Sequence, residues 1–462
     1  MSPAREPGPP DPGGDMIEKY IERMTAWPTQ DAVIDAAGTT TYLELLADIS
    51  RLGDAFRAAG IPAGAVVAVE AQHSAQAGAA LLALAELGAI CVPMTRLPEE
   101  KTREFLDVGE VEWLVGVAAD PSTAPTVAPT GVRATHALYG RLREAGVPGL
   151  VLFSSGTTGR SKASVLDLTR ILERYVGDRP AQRILSFLNL DHIGGINTLF
   201  HTLGQGGTVV TVPDRTPDEV LATIERHRVN VLPTTPTFLT MLLISGAVER
   251  YDLSSLTHIT YGTEPMPAQT LRRLAETLPE VRLKQTYGLS ELGILATKSR
   301  GNDSLWVKLG GDGFDYKIID GVLWIRSRMA MLGYLNAEAP FDEDGYFNTQ
   351  DAVRVDGEYV QILGRKSEII NVAGEKVYPN EVESVLLELD NVLDVTVSAL
   401  PSPVTGQVVQ AGLLLAEPED PRALRRRVDA HCRDRLEPYK IPAKIVVTEG
   451  AHHSERFKKV RA

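Results

Sequence analysis

Residues Phe153-Ser-Ser-Gly-Thr-Thr-Gly-Arg-Ser-Lys162 follow directly on an apolar run, Gly149-Leu-Val-Leu-Phe153. The run predicts a strand, and the Gly/Ser/Thr segment predicts a loop leaving it. Gly156 and Gly159 let the backbone turn sharply and come close to a ligand. The hydroxyls of Ser154, Ser155, Thr157 and Thr158, with the N–H groups between them, suit phosphate oxygens. Lys162 adds a positive charge at the far end. This is not the P-loop pattern, because the glycine spacing is too short and no Ser or Thr follows the lysine. Taken alone the stretch reads equally as a plain surface turn, so its surroundings decide.

Upstream, Thr41-Tyr-Leu-Glu44 has capping-box spacing and predicts a helix to about residue 59. Strands are expected at 66–70, 89–93 and 113–117, with helices at 73–87 and 101–106 between them. Downstream, strands at 208–212, 229–232, 258–261 and 281–285 alternate with helices at 217–226, 236–243 and 267–277. Such alternation implies βαβ units on a largely parallel sheet. Beyond residue 305 the character changes to hairpins, turning at Asp320-Gly321 and Asp356-Gly357. Residues 365–462 then read as a small α+β domain, with helices at 379–389 and 421–435. The expected organisation is a disordered tail over 1–15, an α/β domain over 16–364 and a small domain over 365–462.

Composition narrows the function. The 462 residues are 44% hydrophobic and 23% charged, as in ordinary globular chains. A net charge of −13 argues against nucleic acid and against anionic membrane surfaces as partners. No apolar run reaches membrane-spanning length. The opening segment lacks a signal core, and Cys91 and Cys432 give neither a disulfide framework nor a metal spacing. A reducing, cytoplasmic setting is expected.

Polar clusters stand where the predicted strands end. In Thr286-Tyr-Gly-Leu-Ser-Glu291, Tyr287 offers a flat face to a base and Gly288 allows close approach. Ser290 offers a hydroxyl to phosphate, and Glu291 offers a carboxylate to Mg²⁺. Asp351, in Asn348-Thr-Gln-Asp351, suits the vicinal hydroxyls of a ribose, and reads also as a strand-end cap. Arg365 could share the ribose role.

Together these segments resemble the adenylate-forming superfamily of acyl- and aryl-CoA synthetases, amino-acid adenylation domains and luciferases. The resemblance spans residues 16–462 and includes Gly364-Arg-Lys-Ser-Glu-Ile-Ile-Asn-Val-Ala-Gly-Glu-Lys-Val-Tyr-Pro-Asn-Glu-Val-Glu383 and Leu436-Glu-Pro-Tyr-Lys-Ile-Pro442. It implies an α/β fold of mixed sheets with a β-rich subdomain and a small mobile α+β lid. It also implies that residues 154–162 bind the β- and γ-phosphates of ATP, and that Gly262, Thr263, Glu264 and Tyr287 line the adenine site. Ser290 would contact the α-phosphate, Glu291 would hold Mg²⁺, and Asp351 with Arg365 would bind the ribose. His192 would line the acyl pocket, although it also reads as a helix-start residue packed in the core. Ser367 falls at the hinge position and Gly374 along a pantetheine tunnel. Spacing to Arg461 assigns the catalytic carboxy-terminal lysine to Lys458 rather than Lys459.

The chain departs from the family pattern in four places. Gln350 replaces the glycine of Thr-Gly-Asp, Ala373 the first of two glycines, Phe457 the glycine before the lysine, and Ser161 a loop proline. Asn189 and Asp191 flank His192, and Gly195, Asn197 and His201 follow. This polar set leans away from a long-chain acyl tunnel and toward a small aromatic or polar acid, unless it caps the helix or faces solvent. The expected reaction is adenylation of such an acid, then transfer to CoA, a carrier-protein phosphopantetheine thiol or an amine. One branch of the resembling group activates nitrite and diazotises aromatic amines, and is the alternative reading. A non-catalytic nucleotide-binding protein is the alternative of another class.

Overall fold

A computed structural model describes residues 13–154, 161–448 and 459. The chain divides into two compact units. The first comprises Met1–Pro213, Ser290–Gly293 and Arg328–Ala339, and the second Asp214–Leu289, Ile294–Ser327 and Pro340–Ala462. The expected boundary at 364/365 falls inside the second unit. The first helix, Gly13–Met24, starts within the segment expected as tail, and residues 1–12 lie outside the described residues.

In the first unit one sheet runs in the order Gly333–Tyr334, Lys162–Asp167, Gly149–Ser154, Ile90–Met94, Val66–Glu70, Trp113–Gly116, Thr126–Pro129. Its four central strands are parallel, as the alternating pattern predicts. Its edges are antiparallel: Lys162–Asp167 folds back on Gly149–Ser154 and is joined by Gly333–Tyr334 from far along the chain, while Thr126–Pro129 folds back on Trp113–Gly116. Val66, Ile90, Val151 and Val165 fill its core with Phe105 and Phe153, whose rings stack at 3.8 Å. A second ladder pairs Arg183–Ser186, Thr208–Thr211 and Asp31–Asp35 in parallel, with Gly38–Thr41 antiparallel at the edge.

The helix Tyr42–Ala59 starts at the predicted capping box. Thr41 Oγ1 accepts from the Glu44 N–H, and Glu44 Oε2 accepts from the Thr41 N–H at 2.7 Å. It ends at Gly60, whose φ of 87° closes the last turn. Its neighbour, Ala75–Glu86, is buried almost throughout, which explains its Ala/Leu composition.

In the second unit Val231–Thr234, His258–Tyr261 and Arg282–Gln285 form a parallel ladder. An antiparallel sheet follows, ordered Gly293–Ser299, Val307–Gly310, Tyr359–Arg365, Phe347–Asp356, Val322–Ser327, Phe314–Ile319. Both predicted hairpins are present there. The last layer joins Glu375–Val377, Ile370–Val372, Gly406–Leu415 and Val392–Ser402, with Lys444–Thr448 parallel to Gly406–Leu415. Val382, Leu386, Leu424 and Val428 seal this sheet under the helices Pro379–Leu386 and Pro421–Arg433. No helix among the described residues is long and apolar enough to cross a membrane.

Candidate active site

In the first unit the opening loop joins two antiparallel strands, with Ser154 and Lys162 directly opposite each other. Ser155, Gly156, Thr157, Thr158 and Gly159 lie outside the described residues. The loop's base is clamped from two sides. The Ser161 N–H donates to Glu104 Oε1 at 3.1 Å, while Lys101 pairs with the other Glu104 oxygen at 2.6 Å. Asn336 donates through Nδ2 to the Ser161 carbonyl at 2.7 Å and accepts from the Ala163 N–H at 3.2 Å. Ser161 is buried, so the replacement of the family's proline leaves an N–H that Glu104 satisfies.

Lys162 extends its ammonium over the ring of Tyr334, 5.1 Å from the centroid. The Tyr334 hydroxyl donates to Glu291 Oε1 at 2.7 Å. Glu291 is also fixed through its backbone, its carbonyl accepting from the Met331 N–H at 2.7 Å. Ser290, Glu291 and Tyr334 are all buried. Among the described residues no cluster of three His, Cys, Asp or Glu side chains stands ready for a metal. A single buried carboxylate nevertheless fits Mg²⁺, which commonly takes one or two carboxylates and fills its octahedron with phosphate oxygens and water.

His192 caps the helix Ile193–Leu203, its Nδ1 accepting from the Gly194 N–H at 3.0 Å. The preceding turn is tight. A Cβ on Gly195 would lie 2.0 Å from the Asn189 carbonyl oxygen, so only glycine fits. Asp191 is buried and accepts from Thr95 Oγ1 at 3.3 Å. Asn197 accepts from the Tyr175 hydroxyl at 2.6 Å, and His201 meets the same ring edge-on at 5.7 Å. Asn197 and His201 therefore share a face, as their helical spacing predicts, and that face packs on Tyr175. Burial pushes the Tyr175 hydroxyl up to about 12, so it stays a neutral donor.

In the second unit Asp351 stands opposite Arg365 in register on neighbouring strands. The Arg365 Nε lies 3.3 Å from Asp351 Oδ1, and the Tyr287 hydroxyl donates to Oδ2 at 2.5 Å. Burial first, and the Asp351 charge second, push the Tyr287 hydroxyl well above its usual range. The Asp351 backbone N–H donates to Thr349 Oγ1 at 3.1 Å, which fixes the main chain that carries the carboxylate. Tyr287 and Arg365 thus orient one carboxylate oxygen each.

Beside them, Gly262 closes against Thr286, where a Cβ would lie 2.6 Å from Oγ1 and 2.7 Å from the carbonyl oxygen. Thr263 adopts a left-handed φ of 74°. Glu264 accepts from the Thr237 N–H at 2.8 Å and from the Lys459 N–H at 2.9 Å. Lys458 lies outside the described residues, but Lys459 is described. Its ammonium is buried, 3.3 Å from Asp394 and 3.7 Å from Glu383, and donates to the Val395 carbonyl at 2.7 Å. Gly288 sits in the short strand Tyr287–Leu289. Ser367 is exposed in the single turn Lys366–Glu368, and Gly374 is exposed at a φ of 94°.

Tyr334, Asn336 and Glu104 were missed by the sequence reading. The available signal was Gly333-Tyr-Leu-Asn336, an aromatic and an amide just past a left-handed glycine, but nothing in its spacing points to a loop 170 residues earlier.

The candidate site thus gathers a Gly/Ser/Thr loop between two strands, a buried carboxylate just after the strand Tyr287–Leu289, and an Asp351–Arg365 pair across two strands, Asp351 lying within its strand and not at its end. The chain belongs to the AMP-binding enzyme family, whose model matches residues 21–335 and whose carboxy-terminal domain model matches 381–458. It is 29% identical to an indoleacetate–CoA ligase of Aromatoleum aromaticum, over 93% of this chain and 94% of that one. Its fold is similar to that of the anthranilate CoA ligase AuaEII in complex with anthranoyl-AMP. That match has a TM-score of 0.79 at 19% identity, covering 96% of this chain and 95% of that one. It is likewise similar to the amide bond synthetase McbA of Marinactinospora thermotolerans, with a TM-score of 0.75 at 24% identity over 94% and 96% of the chains. The protein is thus an adenylate-forming ligase of acids.

Proposed function

We propose that this enzyme activates a small aromatic or polar carboxylic acid with ATP, releases pyrophosphate, and passes the acyl group to a thiol or an amine. The observation that carries the nucleotide part is the buried Asp351 carboxylate, oriented by Tyr287 on one oxygen and Arg365 on the other. The aromatic preference draws on the relatives. One acts on indoleacetate and another holds anthranoyl-AMP. CoA follows from the ligases and an amine from the amide bond synthetase.

In the first half-reaction a substrate carboxylate oxygen attacks the α-phosphorus, and the bond to the β-phosphate oxygen breaks. Both partners are anionic, so the barrier is largely electrostatic. Lys162 and the loop before it hold the departing pyrophosphate. Ser290 donates to the α-phosphate, Tyr287 and residues 262–264 flank the adenine, and Lys458 neutralises the attacking carboxylate. Glu291 would hold Mg²⁺, which supplies charge neutralisation on the phosphates when bound. In the second half-reaction the acceptor thiol or amine attacks the acyl carbon, loses its proton, and AMP leaves. Ser367 serves as the hinge between the two steps, Gly374 lies along the acceptor's path, and His192 with Asn189, Asp191 and Gly195 shapes the acid pocket, while Asn197 is taken up by Tyr175.

The test is an acid-dependent ATP–pyrophosphate exchange screen over aliphatic, aromatic and amino acids plus nitrite, followed by CoA, an amine and a carrier protein as acceptors. Exchange with aryl acids and thioester or amide formation are expected. AMP formation with nitrite and an aromatic amine, but with no carboxylate, would replace this reading by diazotisation. Silence across the panel would leave a nucleotide-binding protein. Lys458→Ala is expected to abolish exchange, a loss of about 10²–10³-fold for one transition-state contact. It should spare transfer from a pre-made acyl-adenylate. Unchanged exchange would refute the assignment of Lys458.

A further inference from the structure

We propose that Tyr334 is the positioning residue that sets both the Glu291 carboxylate and the Lys162 ammonium, and so couples cation binding to pyrophosphate binding. The inference rests on the reading of Glu291 as the Mg²⁺ ligand. Three observations carry it. The Tyr334 hydroxyl donates to Glu291 Oε1 at 2.7 Å, while its ring lies 5.1 Å beneath the Lys162 ammonium. The backbone around it is held at four points: Tyr334 pairs with Ser164, Gly333 pairs with Val165, the Leu335 N–H donates to the Ala163 carbonyl, and the Met331 N–H donates to the Glu291 carbonyl. Both contacting groups are otherwise mobile kinds of side chain: a carboxylate that rotates about its last bond and a lysine with a four-carbon stem. A rigid, buried phenol that touches both fixes them relative to each other.

The chemistry gives each half of the ring system its own task. A donor on one carboxylate oxygen orients the group and directs the remaining lone pairs at the cation. Such partners of a metal ligand commonly change metal affinity about 10–100-fold when lost. The aromatic face attracts the ammonium through the ring quadrupole and keeps it at the loop's base, opposite Ser154.

The experiment measures Mn²⁺ retention by electron paramagnetic resonance, with ATP present and no acid, so no turnover is involved. Mg²⁺ titrations of pyrophosphate exchange run alongside. Tyr334→Phe should weaken Mn²⁺ retention about tenfold, raise the Mg²⁺ midpoint by the same factor, and leave ATP binding at saturating cation unchanged. Tyr334→Leu, which also removes the ring, should in addition weaken ATP binding at saturating cation. Tyr334→His, which keeps a flat ring and a donor, should stay near the parent and gives the comparison if the Phe variant does not fold. Glu291→Gln should move the cation midpoint at least as far. A Phe variant that melts lower but retains Mn²⁺ like the parent, while Glu291→Gln does not, overturns the coupling. If Glu291→Gln itself leaves Mn²⁺ retention unchanged, the reading of Glu291 falls and the inference with it.

Discussion

Of the side chains in backbone conformations that favour glycine, Gln350 and Ala373 stand where the resembled motifs carry glycine. Gln350 has a φ of 61° and Ala373 a φ of 53°. A left-handed conformation costs an L-residue about 1–2 kcal/mol. Glycine gives back about 0.5–1 kcal/mol of that through its looser unfolded chain. Gln350→Gly and Ala373→Gly should therefore each stabilise the fold by about 0.5–1 kcal/mol, read as a shift in urea midpoint at constant slope. The Gln350 conformation also explains why the substitution leaves Asp351 in place. Gln350 is exposed, and Asp351 takes its register from Thr349 and from Arg365 across the ladder. At this scale the residues proposed for the nucleotide could be picked out of the sequence, because each motif is local. Tyr334 could not, since its two partners lie 43 and 172 residues away in sequence.

Elements that follow a regular period were read from the sequence almost to the residue. The hairpin turning at Asp320-Gly321 and the strand His258–Tyr261 are examples. The strand Lys162–Asp167 escaped because its lysine and serine look like a continuation of the polar loop. Only pairing against Gly149–Ser154 makes it a strand. The turn into the helix Ile193–Leu203 shows what such reading leaves out. His192 caps the helix, and Gly195 packs against the Asn189 backbone so closely that no side chain fits. Gly195→Ala must push backbone against backbone, and a destabilisation of about 1–3 kcal/mol is expected for overpacking of this kind. The melting temperature measures that cost. A matching rise in the KM for the acid would tie the turn to the pocket.

Over the whole molecule the order of the motifs carried more than any one of them. The fold class and the adenylating chemistry were readable because five different short segments, at 154–162, 287–291, 348–351, 364–383 and 436–442, follow one another in the family's order. The division into two contact units was not, since each unit gathers stretches far apart along the chain. Cys91 and Cys432 are both fully buried, one in each unit. Burial pushes their thiols up to about 12 and about 11, with the Asp429 carboxylate a second cause at Cys432. At pH 8 both should be inert to a thiol-disulfide reagent in the native protein and react promptly in denaturant. Fast labelling of either under native conditions would contradict the packing. Peptide mass mapping distinguishes the two sites, so slow native labelling becomes a pair of clocks. One ticks with each opening of the first unit and the other with each opening of the second, with no reporter group added.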